Sequence, residues 1–119
     1  MQIKTKRIYE SVSTRDGARI LVDRLWPRGV SKDAAKLNAW WKDIAPSDPL
    51  RKWYRHDAAK WPEFRNRYLA ELKQKQGTIQ TLLEEAGEHK TLTLLYSARD
   101  EHQNQAAVLK EFLSEMLRA

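Results

Sequence analysis

The chain has 119 residues, of which 41% are hydrophobic and 32% charged, with no Cys. That length suits one domain, 1–119, the apolar content is too high for a disordered chain, and the missing Cys excludes disulfides, thiolate nucleophiles and Cys-based zinc sites. The net charge of +6 is uneven: residues 1–60 hold fourteen Lys/Arg against seven Asp/Glu, and residues 61–119 hold eight against nine. A surplus confined to one half points to an anionic partner or to simple solubility. No run approaches 18 apolar residues and the first six residues lack a signal peptide's apolar stretch, so a cytoplasmic protein without membrane contact is expected.

In chain order, Ile3 to Tyr9 reads as a polar edge strand. Arg19-Ile20-Leu21-Val22-Asp23 reads as a strand buried on both faces, because its apolar residues run consecutively instead of alternating. The link between these two is only about eight residues, shorter than the dozen or so a parallel crossover normally takes. The first strand is therefore either antiparallel or joined by an unusually short crossover. Trp40 to Ile44 fits a fourth short strand or an irregular aromatic segment. On a strand, Trp40 and Trp41 would point to opposite faces.

Asp48-Pro49 reads as a cap and first helical position, with Leu50, Trp53 and Tyr54 facing the core. Pro62 opens a longer helix whose apolar positions Trp61, Phe64, Tyr68, Leu69 and Leu72 recur until Gly77. Thr78 is the predicted cap of a helix with Ile79, Leu82, Leu83 and Ala86 inward, ended by Gly87. Thr91-Leu92-Thr93-Leu94-Leu95-Tyr96 is the second buried strand. Asp100 and Gln103 have capping-box spacing and predict the start of a last helix carrying Ala106, Leu109, Phe112, Leu113, Met116 and Leu117. Strands separated by helices indicate an α/β fold with a small, mostly parallel sheet of three to four strands flanked by helices. Residues 19–23 and 91–96 are expected to be parallel neighbours at its centre.

In open α/β sheets, ligands bind outside the carboxyl ends of the strands. Here those ends continue as Asp23-Arg24-Leu25-Trp26-Pro27-Arg28-Gly29 and as Tyr96-Ser97-Ala98-Arg99-Asp100. Arg forks match phosphate and carboxylate geometry, so Arg24, Arg28 and Arg51 are candidate anion ligands, with Lys42 adding charge. Trp26 is either a packed loop anchor or a stacking wall. Asp23 either forms a salt bridge, a buried pair with Arg28 being one form of it, or caps a turn, or accepts a ligand hydrogen bond, and as a catalytic candidate it is the base. His56 either complements a helix C-terminus or acts as acid/base. Tyr96 and Ser97 complete the polar set. All five Trp lie between positions 26 and 61 among basic residues, a composition shared with nucleic-acid surfaces, although Trp53 and Trp61 fall on core phases of their helices. No His-Glu-x-x-His, Gly-x-Ser-x-Gly or Gly-rich phosphate loop occurs, and Asp100, Glu101 and His102 are too sparse a cluster for a metal, so neither metal nor cofactor is expected.

The stretch Leu21-Val22-Asp23-Arg24-Leu25-Trp26-Pro27-Arg28-Gly29 resembles the signature of the YeaO-like family of bacterial proteins, a domain-of-unknown-function family. Trp41-Lys42-Asp43, Pro46-Ser47, Leu50-Arg51-Lys52-Trp53, Phe64, Tyr68, Glu71-Leu72 and Leu94-Leu95-Tyr96-Ser97-Ala98 extend the resemblance along nearly the whole chain. It implies an intracellular bacterial α/β domain and no particular reaction. Three functions follow from the residues. The first is a pocket for an anionic small molecule such as a phosphate or nucleotide, with hydrolysis or transfer as the chemistry if it is an enzyme. The second is a non-catalytic nucleic-acid module using the basic, Trp-rich half. The third pairs the apolar last helix with a partner or with a second copy in a homodimer.

Overall fold

The computed structural model describes residues 1–118. Four strands, β1 (Gln2–Arg7), β2 (Ala18–Leu21), β3 (Ala39–Trp40) and β4 (Thr91–Tyr96), form one sheet in the order β1-β4-β2-β3. Every neighbouring pair is parallel. The two apolar runs, β2 and β4, are therefore the central parallel pair that their lack of alternation predicts. The segment from Trp40 splits the two expectations for it: Ala39–Trp40 is strand, and Lys42–Ile44 is a 3-10 turn.

β1 is parallel, so the short crossover is the one that forms. Its Ile3 pairs with Leu92, as does Ala18 of β2, so the chain must return from Ile8 to the level of Ile3 and step over β4. That distance is about 20 Å, from about 3.3 Å per strand residue and 4.8 Å per strand spacing. The intervening segment can span it without a helix, since each extended residue reaches about 3.3–3.6 Å. It passes across β4 as a 3-10 turn, Thr14–Asp16, whose Asp16 carbonyl accepts the Thr93 hydroxyl at 2.7 Å. Gly17 follows at φ 62, with Thr91's backbone against the position a Cβ would occupy. Only glycine fits there.

Asp16 and Arg19 secure this return. Both side chains are 4% exposed, and they pair at 2.6 Å. Asp16 also accepts from Lys6 Nζ at 3.0 Å and from the Ser13 amide at 3.0 Å. Arg19 donates its remaining edge to the Ala35 carbonyl at 3.1 and 2.9 Å, which anchors the end of the short helix α1 (Lys32–Ala35). Among the described residues this face of the sheet carries no long helix. Its apolar half, Ile8, Leu21 and Leu95, is covered by Ala35, Trp26, Val30, Leu37 and Trp40.

The opposite face holds the main core. Ile3, Ala18, Ile20, Val22, Leu92, Leu94 and Tyr96 meet α2 (Asp48–Tyr54), α3 (Trp61–Gln74), α4 (Gln76–Ala86) and α5 (Gln105–Arg118). Several helix boundaries differ from the sequence expectation. Ser47 caps α2, its Oγ accepting from the Leu50 amide at 3.3 Å, so Asp48 and Pro49 each lie one position further in. Gly77 does not end α3; Lys75 leaves helical geometry, and Gly77 and Thr78 sit in the first turn of α4. Asp100 does not cap α5. It closes a turn on the His102 and Gln103 amides, and Asn104 caps the helix through the Ala107 amide at 2.9 Å. The apolar face of α5 (Ala106, Val108, Leu109, Phe112 and Leu113) is buried in the core, with Leu117 left exposed. Among the described residues no helix is long and apolar enough to cross a membrane.

Asp16→Ala strands a buried guanidinium and is expected to cost about 3–5 kcal/mol, read from urea unfolding. Burial opposes ionisation of Asp16, but the Ser13 amide, Lys6 and Arg19 outweigh it and hold its pKa below the ordinary value. Its stabilisation is therefore complete above the ordinary carboxylate range and lost as pH falls through the depressed value, so the gap between wild type and Asp16→Ala should narrow in acid.

Candidate functional site

The register of the central strands builds the site. Leu21 lies opposite Leu95, so two residues further on Asp23 lies level with Ser97. The Ser97 amide and hydroxyl both donate to Asp23 Oδ2, at 3.1 and 2.5 Å. Gln105, the first residue of α5, donates its side-chain amide to Asp23 Oδ1. Asp23 is 8% exposed and, among the described residues, has no ion-pair partner. Burial pushes its pKa above the ordinary value, against the Ser97 donors, the nearby His56 and the Gln105 amide.

A cleft of about 390 Å³ opens over this carboxylate. That volume lies at the lower end of sites that take small organic ligands. Of the residues singled out in the sequence, Asp23, Arg24, Trp26, Arg28, Arg51, His56 and Ser97 line it. Arg24 spends Nε and one Nη2 hydrogen on the Pro46 and Ala45 carbonyls, at 2.8 and 3.2 Å, and so fixes the turn before α2. Arg28 is exposed and forms no ion pair among the described residues, so no buried Arg28–Asp23 pair exists. Arg51 bonds Asp48 at 3.1 Å through Nη2, while its Nε is buried without a partner. His56 is exposed and follows Arg55 out of α2 with φ 56 after φ 48. Two successive non-glycine residues in left-handed geometry cost about 1 kcal/mol or more each, and they bring the imidazole to the rim.

Trp26 combines both of its readings. Its indole N–H donates to the Val30 carbonyl at 2.6 Å and its ring meets Trp40 edge-on at 5.4 Å, so it is anchored while also lining the cleft. Trp40 in turn donates to the Asp23 carbonyl at 2.6 Å, which explains the outward member of the Trp40–Trp41 pair. Trp41 is buried in the main core.

Lys42 and Tyr96 are not brought to the cleft. Lys42 lies over the Trp40 ring at 5.2 Å, and Tyr96 belongs to the helix-side core, where burial raises its phenol pKa. Conversely, Tyr9, Gln105, Tyr54 and Phe64 line the cleft without having been singled out as site residues. Tyr9 donates to the Arg28 carbonyl at 3.0 Å under the Arg7 guanidinium, and Arg7 braces the Ser97 and Ala98 carbonyls at 3.0 and 2.8 Å. A parallel first strand would have pointed to Tyr9, because its end then reaches the same rim. Among the described residues no group of three His, Asp or Glu is placed to hold a metal ion.

The chain belongs to the family described as the inactive DUF488-N3 subclade, which it matches over residues 2–119. It is 45% identical over 113 residues to the "Uncharacterized protein YeaO" of Escherichia coli K12, covering 95% of this chain and 97% of that one. It is 35% identical over 113 residues to uncharacterized proteins of Mycobacterium bovis and Mycobacterium tuberculosis, covering 95% of this chain and 94% of each. No solved structure matches it.

Because Asp23 has a raised pKa, its ionisation works against folding. Stability should fall as pH rises through that pKa, and Asp23→Asn should abolish this fall. Asp16, Asp48 and Asp100 are shifted the opposite way. The readout is therefore the difference between the two proteins' urea midpoints across the mildly acidic range.

Proposed function

We propose that this family member binds a small anionic molecule, carrying phosphate or carboxylate, in the cleft at the ends of β2 and β4, and performs no chemistry on it. The unpartnered, buried Nε of Arg51 carries this reading. A buried cationic donor without an acceptor is costly, and an oxyanion in the cleft supplies the acceptor. Arg28 and Arg24 line the same cleft. Binding without catalysis is favoured because the subclade is described as inactive. As an enzyme the site would use Asp23 as base, with His56 at the rim as the acid/base candidate, for hydrolysis or transfer at a phosphorylated centre.

The nucleic-acid reading draws on the basic first half. Against it, Trp53 already carries Lys60 and Arg67 over its ring, at 5.1 and 4.4 Å, and Trp40 carries Lys42. Bases would have to displace these cations to stack. That reading predicts a log–log salt slope of roughly −0.7 to −0.9 per phosphate contacted. Titration of a labelled single strand and a duplex checks it, and absence of binding at low salt removes it.

Arg28→Ala should leave the melting temperature without ligand nearly unchanged, because the side chain is exposed and unpaired. Phosphate at about a hundred times its Kd should stabilise the wild type by about 2.7 kcal/mol and the variant far less. Thermal melts across phosphate, pyrophosphate and citrate check this. Wild-type melts unmoved by every anion would defeat the proposed function.

A further inference from the structure

The chain buries two aspartates at its sheet and treats them differently. Asp16, 3% exposed, is compensated by Lys6 and Arg19. Asp23, 8% exposed, is met only by the neutral donors of Ser97 and Gln105, and it lines the cleft. A buried carboxylate without a cation is unfavourable unless something brings one. Oδ2 already accepts two hydrogen bonds, whereas Oδ1 accepts only that of Gln105, so a lone pair remains on Oδ1. Arg51, on α2, presents the complementary deficit, a buried guanidinium N–H without an acceptor.

We propose that the ligand is a small zwitterion, its ammonium group hydrogen-bonded to Asp23 Oδ1 and its phosphate or carboxylate held by Arg51 and Arg28. The inference rests on the anion-binding reading above and adds the second pole. One cleft is then lined by a carboxylate met only by neutral donors and by a guanidinium that pairs with Asp48 yet keeps an Nε without an acceptor, and a dipolar molecule satisfies both. A plain anion leaves Asp23 uncompensated and adds a like charge to the cleft; a plain amine leaves the Arg51 Nε without an acceptor. A sugar phosphate is the nearest competitor, because a hydroxyl can also donate to Oδ1. It brings no positive charge, however, and charge-assisted bonds to carboxylate are about twice as strong as neutral ones.

Calorimetric titration of the full chain with matched pairs tests this. Phosphoethanolamine is compared with 2-hydroxyethyl phosphate, and β-alanine with propionate, so that only the ammonium differs in charge at one end. The expected result is a gain of about tenfold or more in affinity from the ammonium in at least one pair, and the pair that shows it identifies the anion as phosphate or carboxylate. In Asp23→Asn that affinity ratio should fall to about one, while an Arg51→Ala variant should weaken both members of the pair together. Anions that bind with no ammonium gain in either pair would overturn the zwitterion and leave the anion reading standing. Failure of every compound to bind the wild type would overturn both. The wild-type ratios decide the matter even if Asp23→Asn does not fold.

Discussion

The buried Asp16–Arg19 pair is the contact on which the rest of the structure depends. A parallel strand must return its chain to the starting end, and here the return carries no helix. A short segment crossing a sheet face has little apolar area with which to hold itself down. It is held instead by charge: Lys6 of β1 and Arg19 of β2 reach Asp16 from both sides of β4, and the Asp16 carbonyl takes the Thr93 hydroxyl of β4 between them. Three strands are thus tied to one turn. Because Arg19 also holds the Ala35 carbonyl, the same pair fixes the far end of the segment that leaves the cleft after Gly29.

The cleft follows from this arrangement. With β4 inserted between β1 and β2, the ends of all three strands reach one edge of the sheet. β1 sends Tyr9, β2 sends Asp23 to Arg28, and β4 sends Ser97 and Ala98. The backbone carbonyls at this rim are largely spoken for by arginines: Arg7 takes those of residues 97 and 98, and Arg24 takes those of residues 45 and 46. These arginines are braces first. Arg28 and Arg51 differ in having no such carbonyl partner among the described residues, Arg51 pairing instead with Asp48, and the proposed oxyanion rests on these two.

Most of the fold was legible in the sequence because parallel central strands, covered on both faces, lose their alternation and show as apolar runs. Their neighbourhood and direction then placed Asp23, Ser97, Arg24 and Arg28 at one rim. What was not legible has particular causes. A ten-residue return has no periodicity to read, and its anchor is a pairing between Asp16 and Arg19 that looks like any two nearby charges. Gly77 has the profile of a helix stop, yet in the first turn of α4 its amide needs no intrahelical partner, and Lys75 makes the break. Asp100 carries a capping pattern but closes the preceding turn, which moves the cap to Asn104 and sets Gln105 against Asp23. Tyr96 ends a rim strand and Lys42 adds charge among the Trp-rich residues, and neither position in the sequence tells which way the side chain turns. The pleat turns Tyr96 towards the helices, and the Trp40 ring holds Lys42.

The two buried aspartates show how one fold places the same chemical group in two different electrostatic settings. At Asp16 every strong donor comes from the chain itself, so the charge is neutralised and the turn is rigid. At Asp23 the donors are neutral and come from two elements, the end of β4 and the start of α5, so the carboxylate is oriented without being neutralised. Orientation without neutralisation is what a binding site requires. A site that compensates its own charges has little electrostatic energy left for a ligand, whereas one that leaves them exposed to water dissipates the field in a high dielectric. Asp23 avoids both limits by being buried at the floor of an open cleft. Burial pushes the Asp23 pKa up against its neutral donors, so the floor of the cleft holds a carboxylate whose ionisation works against folding.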